Sequence, residues 1–191
     1  YGWTHQPEAT RRRTLETLSG APFNKIRMLV LPNGAVATNT PLSPFARTGT
    51  GETDWDPTRF EPAFFQRLDA CVAALCDMGV QADVILFHPY DEASGLHAMP
   101  ANLDARYVRY VVARLSAYRN VWWSMANEFD ILKKSDEDWD RLFQVVRDAD
   151  PHGRLRSIHN WRRLYDNGKP WVTHSSIQNG SAVLDDARAE T

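Results

Sequence analysis

VWWSMANEFD, residues 121–130, is the stretch whose reading decides the fold. A short run of apolar and aromatic residues after Asn120 reads as a strand that ends where the polar pair Asn127 and Glu128 begins. In a parallel α/β fold that pair lies at the carboxyl end of a strand, the edge where such folds place their chemistry. Glu128 is therefore the leading candidate for a catalytic residue, and the rest of the chain is read for a pocket around it.

Upstream, the order repeats. Residues 82–89 (ADVILFHP) are a strand that discharges into the polar loop HPYDEASG, and residues 26–31 are a near-continuous apolar strand interrupted by Arg27. Arg27 needs a partner, because a guanidinium is not buried alone, and a carboxylate of the pocket is the natural one. Helices are predicted from Pro7 to about Ser19, from Pro62 to Gly79 with Phe64, Phe65, Leu68, Cys71, Val72 and Leu75 at helical spacing, and over residues 104–118. Residues 1–5 look like the tail of a strand. The connection from Pro32 to about Glu61 reads as a long functional or disordered loop. Downstream, a helix from Ser135 or Asp136 to Ala149 has an acidic first turn suited to the helix dipole. Strands follow at residues 155–159 and 171–176, and the last residues begin another helix.

Strand, polar loop, helix and turn in repetition argue for βαβ units. Five strand candidates and the stub at Tyr1 make about six, too few for an ordinary eight-stranded barrel of roughly 250 residues. The pattern alone leaves open a doubly wound sheet or a barrel lacking its last units.

The strand ends carry His5 with Gln6, Asn33, then His88, Tyr90 and Asp91, then Asn127 and Glu128, then His159 and Asn160, then His174 and Gln178. Polar groups recurring at every strand end are what a shared pocket requires. Carboxylate, amide, imidazole and aromatic groups suit a carbohydrate, which presents many hydroxyls and flat apolar ring faces; Trp3, Trp123, Trp161 and Trp171 are possible stacking surfaces. Glycoside hydrolysis needs one carboxyl to protonate the leaving oxygen and another as nucleophile or base. Glu128 suits the first role with Asn127 beside it, and Asp91 is a weak candidate for the second. A metal-dependent hydrolase using His88, Asp91, His159 and His174 is an alternative, without the compact spacings HExxH or paired CxxC; no metal or other cofactor is expected.

Twenty-two Lys and Arg against 24 Asp and Glu give a formal charge of -2, which offers no nucleic-acid footprint. No apolar run reaches transmembrane length, so no membrane partner is expected. Cys71 and Cys76 fall on different faces of one predicted helix and read as small core residues. GxSxG, GxGxxG and GxxxxGK[ST] are absent.

The blocks HQPEATRRRTLETLSGAPFNKIRMLVLP, ADVILFHPYDEASG, YRNVWWSMANEFD, LRSIHN and PWVTHSSIQ resemble, in that order, bacterial glycoside hydrolases with a (β/α)8 TIM barrel, related to the apiosidase-like family (glycoside hydrolase family 140-like). The resemblance covers essentially the whole chain. It implies a retaining clan, in which an Asn-Glu pair after the fourth strand supplies the acid/base and a second Glu after the seventh supplies the nucleophile. Residues 121–126 then correspond to the fourth strand, Glu128 to the acid/base, and Asn127 to its substrate-binding neighbour. Residues 1–3 correspond to the first strand, 26–31 the second, 82–87 the third, 155–159 the fifth and 171–174 the sixth. His5, Arg27, His88, Tyr90, Asp91, Trp123, His159, Asn160, His174 and Gln178 are expected to line the sugar pocket. The seventh-strand Glu and the eighth strand have no counterpart, so the expectation is a catalytic barrel over residues 1–191, truncated on its C-terminal side, with the nucleophile beyond Thr191. A secreted or periplasmic bacterial protein is expected, with self-association through the open barrel edges. The alternative within this reading is a carbohydrate-binding barrel remnant that does not hydrolyse.

Overall fold

The computed structural model describes residues 2–33, 42–51, 53–90 and 94–178. A single 3-10 turn, Gly2–His5, leads into α1, Glu8–Ser19. Strand β1 is Lys25–Leu29, and β2, Phe45–Arg47, pairs antiparallel with β3, Trp55–Phe60. Helix α2, Pro62–Asp77, strand β4, Gln81–Phe87, helix α3, Ala101–Leu115, strand β5, Val121–Ala126, helix α4, Asp136–Ala149, and strand β6, Arg156–Ser157, complete the order.

β1, β4, β5 and β6 form one parallel sheet in that order. A fifth segment is laid along β6 by the bond from the Thr173 N–H to the Arg156 carbonyl, 2.9 Å, and by a parallel bridge between His159 and Ser176. The fold is α/β, with six strands and four α-helices among the described residues, and the parallel sheet with its helices is arranged as an incomplete (β/α)8 barrel. The edge of β1 away from β4 borders an open groove of about 720 Å³ lined by Trp3, Gln6, Lys25 and Arg27 among others.

Alternation along the strands sorts the side chains between two faces. Ala82, Val84 and Leu86 of β4 and Trp123 and Met125 of β5 join the apolar core against the helices. That core takes from α2 the stripe Phe64, Phe65, Leu68, Cys71, Val72 and Leu75, from α3 Tyr107, Val108, Val111, Val112 and Leu115, and from α4 Trp139, Leu142, Phe143 and Val146. The opposite face holds Arg27 in contact with both Asp83 and Ser124, with Lys25 over the Trp122 ring. The interior of the barrel thus carries a polar cluster, next to the buried Leu29 and Ile85 that lie outside the helix-side core.

The elements depart from the expectations in places. Residues 2–5 are a 3-10 turn instead of a strand end, and Tyr1 lies outside the described residues. Within the presumed long loop, Phe45 packs on Tyr107 and Phe60 stacks on Tyr110 with ring centroids 3.9 Å apart, so aromatic burial against α3 fixes a hairpin there. Helix α3 begins three residues early, behind Pro100, whose fixed φ suits a helix start. The strand expected over 155–159 keeps only two ladder residues, and 171–176 pairs through isolated bonds because Pro170 and the turn before it delay its approach to the sheet. The helix expected at the end of the chain lies outside the described residues.

His5 is a structural residue. It is 5% exposed, its Nε2 lies 3.1 Å from the Val30 carbonyl, and its ring stacks on Phe64 at 5.8 Å. Burial, and secondarily the charge of His88, lower its pKa from 6.5 to about 4, against the pull of backbone carbonyls. In the unfolded chain the imidazole takes its proton near 6.5, so between these values the unfolded state binds more protons and stability rises with pH. The parent protein is expected to lose about 2 kcal/mol on going from pH 7 to about pH 5 through this group. His5→Gln, which keeps an N–H for Val30, is expected to show a flatter melting temperature over that range; parallel profiles would refute the assignment.

Candidate functional site at the carboxyl edge of the sheet

β5 delivers Asn127 and Glu128 to the carboxyl edge, and the backbone there is forced. Glu128 has φ 50 and ψ 53, the left-handed region, and is the only described residue other than glycine with positive φ. Its two flanking amides account for this: the Asn127 N–H is bonded to the Phe87 carbonyl at the end of β4, and the Phe129 N–H to the His159 carbonyl beyond β6, each at 3.0 Å. The His159 N–H returns a 3.0 Å bond to the Ala126 carbonyl. Held from both sides, the chain turns at a half-buried Glu128. Strain of this kind, over-determined by the surroundings, gathers at functional positions. A residue without a Cβ relieves it, so Glu128→Gly is expected to be about 1 kcal/mol more stable than Glu128→Ala by denaturant unfolding; equal stabilities would show that the turn is unstrained.

Asn127 is 1% exposed and fixed at both ends of its amide. Its Oδ1 accepts from Arg27 Nη1 at 3.1 Å, and its Nδ2 donates to the Tyr90 hydroxyl. Arg27 also donates to Ser124 Oγ at 3.3 Å and sets its Nε 3.2 Å from Asp83 Oδ2. The carboxylate that Arg27 requires is therefore Asp83, inside the barrel, which also pairs with Lys25 at 3.5 Å.

His159 lies on the next strand end. Its Nε2 faces Gln178 Oε1 at 3.2 Å and its Nδ1 faces Ser176 Oγ at 3.1 Å. Burial and then the Arg27 charge lower its pKa, more than Gln178, the Ser176 backbone and Glu128 raise it, so the ring is neutral at pH 7. The Gln178 N–H donates to Asn160 Oδ1 at 2.9 Å, and Asn160 is buried. Glu128, Asn127, Arg27, Tyr90, His159, Asn160 and Gln178 are thus brought together.

Other expected pocket residues stand elsewhere. Trp123 is fully buried on the helix side, its Nε1 donating to Asp150 Oδ2 at 3.0 Å, because the alternation that turns Ser124 inward turns Trp123 outward. It has no face for a sugar. His5 is packed under Val30, as described. His88 is 1% exposed; its Nδ1 accepts from the Tyr90 N–H at 3.2 Å and its Nε2 donates to the Leu31 carbonyl at 3.1 Å. Stacked on Tyr90 at 5.3 Å, it supports that ring and does not project into the cleft. His174 sits edge-on to Trp122, 5.5 Å away, near the amino ends of the strands. Asp91 lies outside the described residues. A metal site built from His88, His159 and His174 is therefore not assembled: His88 has both nitrogens committed, and His174 lies deeper in the barrel than His159. Among the described residues no group of three His, Cys, Asp or Glu is placed to hold a metal.

Asp83, Ser124, Asp130 and Ser176 were not among the expected site residues. Asp83 had a readable signal, a lone carboxylate in the apolar run ADVILF on the strand beside Arg27.

A parallel barrel sheet whose polar groups converge on an Asn-Glu pair at its carboxyl edge places the chain in the class of (β/α)8-barrel proteins with the site at the strand ends. Comparison narrows this: the chain matches the apiosidase-like catalytic-domain model over residues 5–190, and it belongs to that family. A candidate glycoside hydrolase from Bacteroides vulgatus superposes with a TM-score of 0.88 at 43% identity, covering 93% of this chain and 37% of that one. A family 5 glycoside hydrolase from the same organism gives 0.64 at 17% identity over 90% of this chain and 37% of that one, a likeness of fold. A subfamily 18 member of family 5 from Streptomyces cattleya gives 0.56 at 17% identity, over 83% and 40%. The chain spans little more than a third of these structures. No match is found among curated proteins.

Proposed function

We propose that this chain carries the acid/base half of a retaining glycoside hydrolase site, acting on an oligo- or polysaccharide. The observation that carries the reading is Glu128, held in a left-handed turn at the carboxyl edge beside a buried Asn127 whose amide is oriented by Arg27. In the first step Glu128 gives a proton to the glycosidic oxygen as the bond to the anomeric carbon breaks and a carboxylate attacks that carbon. In the second, Glu128 takes a proton from water as water displaces the enzyme. Asn127 and Tyr90 offer hydrogen bonds to sugar hydroxyls, and neutral His159 offers another without adding charge.

The nucleophile comes from outside the described residues. The carboxylates of the barrel interior and of the turn are already committed, Asp83 to Arg27 and Lys25, and Asp130 to backbone amides. The name of the family makes apiosides the first glycosides to try, alongside aryl glycosides. With the full-length protein, proton NMR of the first-formed product is expected to show the anomeric configuration of the substrate. Inverted product would overturn the double displacement, and sugar binding without release would favour the non-hydrolytic barrel.

A further inference from the structure

Two residues past Glu128, the Asp130 carboxylate accepts three consecutive backbone N–H groups from the loop that follows β6. Oδ1 takes Trp161 at 2.6 Å, and Oδ2 takes Arg162 and Arg163 at 2.8 Å each. The partners are more than thirty residues away, so the contact joins two separate strand-end loops. Three converging amides form an anion nest, and they hold the carboxyl below the usual range although its burial pushes the other way. The same junction contains the Phe129 to His159 backbone bond that fixes one side of the Glu128 turn. It is braced from behind by Arg163, which forms two bonds to Asp136 at the start of α4, at 2.8 and 2.9 Å, and lies 4.9 Å over the Phe129 ring.

We infer that Asp130 is a positioning residue for Glu128: by locking the loop after β6 to the turn after β5, it fixes where the acid/base carboxyl stands relative to the glycosidic oxygen. The inference rests on the reading of Glu128 as acid/base. Its mechanical content is that Glu128 occupies a backbone conformation it would leave if released, and Asp130 ties down the turn that carries it. Asn at this position keeps one carbonyl oxygen, loses the charge and the second acceptor, and sets an NH2 group against backbone donors. The turn then relaxes away from its strained geometry while the core beneath it is unaltered.

The test separates positioning of an acid from loss of fold. In the full-length protein, kcat/KM is measured for Asp130→Asn, for Glu128→Gln and for the parent on two glycosides of one sugar, one with a phenolate leaving group and one with a dinitrophenolate. The poor leaving group needs a proton to depart; the good one does not. Asp130→Asn is expected to lose about 10- to 100-fold on the phenyl glycoside and under about twofold on the dinitrophenyl glycoside. Equal losses on both, or none on either, overturn the inference. If Glu128→Gln shows the leaving-group dependence and Asp130→Asn does not, the positioning role fails and the acid/base reading stands; if Glu128→Gln shows none, the acid/base reading itself fails.

Discussion

Glu128→Gln is expected to lower turnover of an unactivated glycoside by about 10²- to 10⁴-fold, the range supplied by a positioned proton donor, while the sugar still binds. Gln matches Glu in size and keeps the Cβ and the amide of the turn, so the strained φ of 50 and the bonds flanking it are undisturbed. Stability is therefore expected to stay within about 0.5 kcal/mol of the parent. What disappears is a proton that can leave: a carboxamide does not protonate a departing oxygen, nor does it accept a proton from water in the second step. The loss should fall on kcat and kcat/KM together for substrates with poor leaving groups, with the dissociation constant measured by calorimetry little changed. Removing the whole side chain gives a second handle. Glu128→Ala opens space for a small anion: on a dinitrophenyl glycoside, whose leaving group departs without a proton, added azide is expected to restore turnover by attacking the glycosyl-enzyme in place of water, releasing a glycosyl azide and the free nucleophile carboxylate. Full activity in Glu128→Gln would leave the Asn-Glu pair as a structural feature of the turn.

The contrast between Glu128 and its neighbours shows which parts of the site could be read from residues. Periodicity identified the α2 stripe from Phe64 to Leu75 because local spacing determines which face of a helix is buried. The edge on which Asn127 and Glu128 sit followed from strand polarity. His5 and His88 were misjudged because their partners, the Val30 and Leu31 carbonyls, lie 25 and 57 residues away along the chain. An imidazole that satisfies a strand-end carbonyl has the same sequence neighbourhood as one that meets a ligand. Trp123 was different, since its orientation was legible: Ser124 is the polar position within β5, and alternation sends its neighbour Trp123 to the opposite face, toward the helices. The β2/β3 hairpin also had a signal, the turn-forming residues 49–54 between Phe45 and the aromatics Trp55 and Phe60. Asp130 had none, because its nest exists only once the loop after β6 has folded back.

Arg27→Ala is expected to destabilise the protein by about 3 kcal/mol, at the low end for breaking a buried ion pair, and to impair the site above it. Three contacts go at once: the 3.2 Å approach to Asp83, the 3.3 Å bond to Ser124 and the 3.1 Å bond to Asn127. Asp83, whose side chain is 4% exposed, is left with Lys25 at 3.5 Å as its cation among the described ion pairs, and Lys25 is 36% exposed. That half-solvated lysine, and the exposure of Arg27 itself, place the cost below the upper end of the range. For a chain of this size the loss corresponds to about 6–12 °C in melting temperature. Arg27→Lys is expected to fall between, keeping the charge near Asp83 but lacking the planar fork that reaches Ser124 and Asn127 together. Two readouts distinguish this from a generic loss of packing. After burial, the Arg27 charge is what lowers the His159 pKa, so the His159 titration followed by NMR should move upward toward the ordinary histidine value in Arg27→Ala. The double variant Arg27→Ala/Asp83→Ala, which removes the stranded carboxylate, should recover much of the stability while leaving Asn127 unanchored and turnover low. A single variant as stable as the parent, with an unmoved His159 titration, would show that the barrel interior does not couple Asp83 to the Asn127 amide through this guanidinium.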